Sequence, residues 1–279
     1  MCVGGLASGV ENKISDQKTD YYLEGINGCM MSFQRLYPRF WEVDVLRGIA
    51  VLMMITFHSL FDLNYLGMVS LNLQSGILWF FGRLTAFIFI FLVGTSLKLS
   101  YMRTILSGYK GLLILKYVKR GLRILSYAFI ITIVTWLVIG EGYIIFGVLH
   151  FIGVAIILSY PLLRHEKLNL PLAILFIIVG FFLLNQRFDI SYLFWLGIIP
   201  PNFYTLDYFP ILPWMGVVSL GIYAAGKLYK DYKRRFHIKD LSKYKIVKFL
   251  AFMGRHSLFI YFIHQPIILA ILFMIRISQ

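Results

Sequence analysis

The chain has 279 residues, of which 59% are hydrophobic, 17% aromatic and only 14% charged, with a net charge of +14. A water-soluble domain of this length has no interior large enough to hide that much apolar surface, so lipid must solvate part of it and a soluble globular enzyme is excluded. The basic residues fall between apolar segments, as membrane flanks do, so the positive charge is not the footprint of a nucleic-acid binder.

Residues 1–35 are polar and without periodicity, and read as a disordered tail ahead of a single transmembrane domain over 36–279. Met30 and Met31 lie just before that body and offer a later start. Cys2 and Cys29 both fall in the tail, with no CxxC partner or nearby histidine, so neither a metal site nor a disulfide framework is expected. The first apolar run comes too late, and without a small-residue cleavage site, to be a removed signal peptide.

A helix needs about 20 mainly apolar residues to cross the hydrocarbon. Seven segments qualify, near 43–61, 77–98, 121–139, 144–163, 169–185, 208–228 and 256–275, which predicts an all-α polytopic membrane bundle. The short apolar piece "ISYLFWLGIIPP" at 190–201 reads as an eighth, re-entrant or interfacial element. The loops after the second, fourth and sixth segments are basic, the last carrying "KLYKDYKRRFHIKDLSKYKIVK", whereas the alternate loops hold only Arg187. This alternation predicts a multi-pass protein of the cell membrane with a cytoplasmic N-terminus and an external C-terminus. No internal repeat is visible, which weighs against a secondary transporter.

The first segment, "DVLRGIAVLMMITFHSLFDLNYLG", carries Asp44, Arg47, His58 and Asp62. Arg47 and His58 are eleven residues apart, so they share one helix face, about 20° apart around the axis and roughly 16 Å apart along it. Asp62 is one turn beyond His58 and positioned to orient its ring. Arg47 also reads as a snorkelling anchor, and Asp44 as an anion suited to a helix N-terminus. A histidine inside an apolar run faces the bundle interior and finds polar company there. "FGRLTAFIF" adds Arg83, "KRGLRILSY" adds Arg120 and Arg123 on one helix face, and "FGVLHFIG" adds His150. "DYFPILPWMG" adds Asp207 and Trp214, and "GRHSLFIYFIHQP" aligns Ser257, Tyr261 and His264. Each has a plainer reading: Arg123 and Arg255 as basic flanks, Trp214 and Tyr261 as interfacial or core aromatics, and His264 as a partner for carbonyls near Pro266.

Taken in order, these motifs resemble a known superfamily of transmembrane acyltransferases. "RGIAVLMMITFH" has the arginine, ten residues and histidine of the acyltransferase-3 family, and "RGLR" and "GRHSLFIYFIHQP" look like its later elements. The ordered set, with "FGVLHFIGVAIILSY" and "YFPILPWMGVVSLGIYAAGKL", is closer to the heparan-α-glucosaminide N-acetyltransferase-like branch over residues 38–276. The resemblance implies transfer of an acyl group, commonly acetyl, from cytoplasmic acyl-CoA to a hydroxyl or amine of a carbohydrate or lipid-linked acceptor. By the same resemblance Arg47 and His58 match the first-helix motif, Arg120 and Arg123 the paired arginines, and His58 is the implied base. The branch's animal lysosomal enzyme carries its histidine in the loop after the first helix, where this chain reads "DLNYLG" and has none. It is also longer, so mechanism and acceptor do not carry over.

The chemistry fits that role. A neutral imidazole can deprotonate an acceptor or hold an acyl group. Arginines at a cytoplasmic helix end can grip the phosphates of CoA bidentately, and a 16 Å span is of the order of a pantetheine arm. Arg47, Arg83, Arg120 and Arg123 are the expected donor contacts, and His58, Asp62 and His150 the expected catalytic set. His150 and Arg83 are also the candidates for oxyanion stabilisation. Asp207, Trp214 and His264 are assigned to the acceptor. Membrane lipid and a second copy of the chain are the further candidate partners. The rival readings are a proton-coupled transporter or flippase relaying protons through His58 and Asp62, and a scaffold whose basic loops bind anionic lipid.

Overall fold

In a computed structural model, the described residues are 38–73, 75–109, 111–187, 190 and 192–277. The expected tail over 1–35 and both cysteines lie outside them. The elements below all belong to one unit, Phe40–Gln279. Among the described residues there are eight α-helices: α1 Trp41–Tyr65, α2 Gly76–Leu106, α3 Leu113–Ile139, α4 Val148–Arg164, α5 Asn169–Leu184, α6 Ile211–Leu228, α7 Lys245–Arg255 and α8 Ser257–Ile277. Six of them are long and apolar enough to cross a membrane, and α4 is a shorter apolar helix. The chain is a polytopic membrane helix bundle.

Helix α6 is the centre of this bundle, with Trp214, Met215, Val218 and Ile222 buried against Ile90 and Leu97 of α2 and Phe151 and Ile156 of α4. Close helix approach needs small residues, because packing between helices in lipid is van der Waals contact rather than escape from water. A Cβ on Gly94 of α2 would strike the Val218 carbonyl, and one on Gly221 of α6 would strike the Phe91 carbonyl. The two glycines let the α2 and α6 backbones touch at reciprocal points. By contrast, α3 and α5 expose Phe129, Ile133, Trp136, Leu137, Ile178, Phe181 and Phe182, an apolar surface suited to lipid.

Two expectations change. Helix α3 begins at Leu113 rather than near 121, so Lys116 and Lys119 stand on its first turns ahead of Arg120 and Arg123. The basic stretch after α6 also contains α7, an eleven-residue amphipathic helix too short and too charged to show as a span. It crosses α1 at glycines, with Gly48 against the Leu250 carbonyl and Gly254 against that of Asp44. The 190–201 piece forms a 3-10 turn, Phe194–Leu196, within the loop before α6, where Phe194 packs on Phe146 at the start of α4.

At the basic end, carboxylates bind the flanking cations to the helix ends. Arg234 donates to both oxygens of Glu42 in α1 (2.6 and 2.8 Å), and Tyr229 adds a third bond (3.1 Å). This fork holds the Arg234 guanidinium above its usual range. Lys98 reaches the Leu163 carbonyl at the end of α4 (3.1 Å) and Glu166 (3.2 Å). A cation at a helix C-terminus meets the negative end of the dipole.

Candidate active site

The candidate site residues, Trp214 apart, fall into three groups at different depths of the bundle. The first is at the basic end. Lys116, Lys119, Arg120 and Arg123 recur at helical spacing on α3, and with Tyr109, Leu112 and Leu115 they line a groove of about 450 Å³. Lys116 donates to Thr104 (2.6 Å) and lies over the Tyr109 ring. No carboxylate pairs with Lys119, Arg120 or Arg123 among the described residues. A concave surface with this much unneutralised positive charge is electrostatically favourable to a polyanion.

Arg47 stands close enough to Arg120 to be its electrostatic neighbour. It is also a structural joint. Its guanidinium donates to Asp44 (3.1 Å), to the Ser96 hydroxyl of α2 (2.6 Å) and to the Gly254 carbonyl at the end of α7 (3.3 Å). Arg47 therefore ties α1 to α2 and α7 rather than snorkelling free.

The second group lies deeper. The His58 ring on α1 and the His264 ring on α8 sit edge to face with centroids 5.0 Å apart. His264 is buried, and its Nδ1 is 2.7 Å from the Tyr261 carbonyl. Its Nε2 has no hydrogen-bond partner. Asp62 is 3% exposed and accepts from the Gln265 amide at both oxygens (2.9 and 3.0 Å), not from His58. The expected orienting bond from Asp62 to His58 is thus replaced by a clamp between α1 and α8. Nothing in the sequence pointed to Gln265, which is 203 positions from its partner. His264, expected at the acceptor, faces the His58 ring.

The third group is at the opposite end. Asp207 accepts from the Val148 N–H at the start of α4 (2.9 Å) and shares a narrow crevice with His150 and Tyr261. Arg83 acts on the Asp207 carboxyl and lies over the Trp79 ring. Ser96 meets Arg47, and Arg83 is thirteen residues earlier on α2, roughly 20 Å along the axis. Arg83 is therefore apart from Arg47, Arg120 and Arg123. His150 is a capping residue: the Gly147 N–H donates to Nδ1 (3.3 Å). Thr132 gives its hydroxyl hydrogen to the Ile144 carbonyl (2.8 Å) and so accepts from His150 Nε2 (3.2 Å). Both ring nitrogens are thus engaged by neighbours of α4. Trp214 packs on Phe209 inside the main core, 8% exposed, as its core reading expected.

Burial raises the Asp207 carboxyl from 3.8 to about 6, against the opposing pull of the Val148 N–H and Arg83. The folded chain binds this proton more tightly than the unfolded chain does. The contribution of Asp207 to stability is fully present below pH 3.8 and is lost as pH rises through about 6. The thermal midpoint of the wild type is expected to fall relative to that of Asp207→Asn between about pH 4 and 7. A difference that stays constant across this window would show that Asp207 titrates alike in both states.

The groups are joined by α3, which packs along α4 and touches α8 where Tyr127 meets Phe262 at 5.4 Å. Arg120, in the groove, and Ala128, in the crevice wall, are eight residues apart on α3, or roughly 12 Å. An extended ligand anchored at Arg120 and lying along α3 would reach the depth of Tyr261.

Comparison with curated proteins and with solved structures gives no significant match. Residues 39–266, a span that takes in all three groups, match the family described as heparan-alpha-glucosaminide N-acetyltransferase, catalytic. That match covers most of the chain, which therefore belongs to this family of membrane N-acetyltransferases.

Proposed function

We propose that the chain transfers an acyl group, acetyl first among them, from an acyl-CoA held at the α3 groove to an amine or hydroxyl of a carbohydrate or lipid-linked acceptor. The CoA phosphates bind Arg120 and Arg123, with Lys119 beside them and Arg47 behind. The pantetheine arm runs along α3, and the thioester meets the His58–His264 pair, which supplies the base. Arg83 and Asp207 mark the acceptor end. The transmembrane domain begins near residue 36, with its basic end in the cytoplasm, where acyl-CoA is found.

One pairing of features supports this reading above the others: a concave cluster of uncompensated cations stands at one end of α3, and α8 carries a buried imidazole nitrogen without a partner. The sequence feature that most favoured transport, an acid beside a histidine on α1, is replaced by the amide clamp on Asp62.

The test uses purified protein in detergent with acetyl-labelled acetyl-CoA and a panel of amino sugars and hydroxylated glycans. Free CoA thiol is expected to appear in step with labelled acceptor. Absence of both, together with proton-driven movement of intact donor into vesicles, would overturn the reading in favour of transport.

A further inference from the structure

We infer that His264 is the base that takes the acceptor's proton, while His58 holds the thioester carbonyl. The inference rests on the acetyltransferase reading above and divides the labour between the two rings.

A neutral imidazole has one N–H and one lone pair. The Tyr261 carbonyl can only accept, so the His264 Nδ1 at 2.7 Å from it carries the hydrogen. The lone pair is then on Nε2, in a side chain that is 7% exposed and at an atom with no donor near it. A hydrogen bond that fixes one nitrogen as N–H and aims the other is how a catalytic histidine is oriented. No such bond sets the tautomer of His58, whose contacts are the rings of Phe57 and His264. That leaves His58 able to present its N–H to an oxyanion.

The surroundings point the same way. Gln265 Oε1 is buried without a partner, beside His264 Nε2 in the same state. Asp62, facing them from α1, receives only the Gln265 amide. The buried polar groups where α1 meets α8 therefore hold more acceptors than donors. Buried acceptors left unmade are costly, and the ligand that relieves them brings hydrogens of its own, as an amine or hydroxyl does.

The step balances without any co-reactant. The acceptor N–H or O–H gives its proton to His264 Nε2 as its nitrogen or oxygen bonds to the thioester carbon. The carbonyl oxygen becomes an oxyanion facing the His58 N–H. The carbon–sulfur bond then breaks, and the His264 imidazolium returns the proton to the departing thiolate. CoA leaves as the thiol and His264 is neutral again.

His264→Asn tests this assignment, because the asparagine amide can keep the bond to the Tyr261 carbonyl but has no basic nitrogen. The variant is expected to melt with the wild type and to keep the donor KM. Its kcat is expected to fall by about 10²–10⁴-fold. A folded variant with kcat within about threefold of wild type, well short of the loss of a general base, would overturn the assignment and make His264 a packing residue. If His264→Asn does not fold, His264→Gln is measured by the same criteria. A wild-type protein with no acceptor-dependent thiol release would instead defeat the acetyltransferase reading itself, so the two failures are distinct.

Discussion

Replacing Arg120 and Arg123 together by alanine is expected to weaken acetyl-CoA binding about a hundredfold while leaving kcat at saturating donor nearly unchanged. A hydrogen bond to a charged group contributes about 1.5–3 kcal/mol when shielded, and tenfold in affinity corresponds to about 1.4 kcal/mol. Both arginines are exposed along the groove, so the lower end of that range applies. The effect should shrink as salt is added, because exposed charges are screened. Titration calorimetry with a non-hydrolysable thioether analogue reads the affinity directly. S-acetylpantetheine, which has the thioester but no phosphate, provides the control. Wild type and variant should use it equally, since the missing guanidiniums would have had nothing to hold. Equal affinity of the two proteins for the full donor would remove the groove from the mechanism.

His58→Ala should lower turnover by about 10²–10³-fold, the usual cost of losing one donor to an oxyanion. The donor affinity should not change, because the groove proposed for the phosphates is on α3 and does not include His58. The fold should survive as well. His58 is only partly buried and makes ring contacts but no hydrogen bond that ties two helices, whereas the α1–α8 clamp is made by Asp62 and Gln265. The informative measurement is the split between kcat and KM in a protein whose thermal midpoint matches wild type. Full turnover in His58→Ala would place the chemistry elsewhere, and a matched loss of midpoint and activity would make the ring a packing element.

The positions of these residues explain why some were legible from the sequence and others were not. Arg47, His58, Arg120 and Arg123 stand out because a charge or imidazole in or beside an apolar run is expensive and so is conspicuous. Spacing within one helix follows from 3.6 residues per turn, so the shared face of Arg120 and Arg123 was legible, while the extension of that face to Lys116 and Lys119 was not. His150 was equally conspicuous, but the capping bonds that occupy it come from Gly147 and Thr132. Trp214 was ambiguous for a related reason. An aromatic near a helix start suits the interface or the core, and only the packing of α6 at the bundle centre put it in the core. Helix α7 was hidden by its charges, since eleven amphipathic residues look like a basic loop to any search for long apolar runs.

By itself, the amino-acid order determined the class of molecule and its helices, because hydropathy over some twenty residues is a local property that lipid reads directly. It also determined which end of the bundle is basic. Tertiary structure alone decided that His58 faces His264, that Asp62 is clamped by Gln265, and that Arg83 is parted from the other arginines. The physical reason is the solvent. In lipid the buried and exposed faces of a helix are both apolar, so no stripe announces which side meets a neighbour, and rotation and depth are set by small residues and polar clasps far apart in the chain.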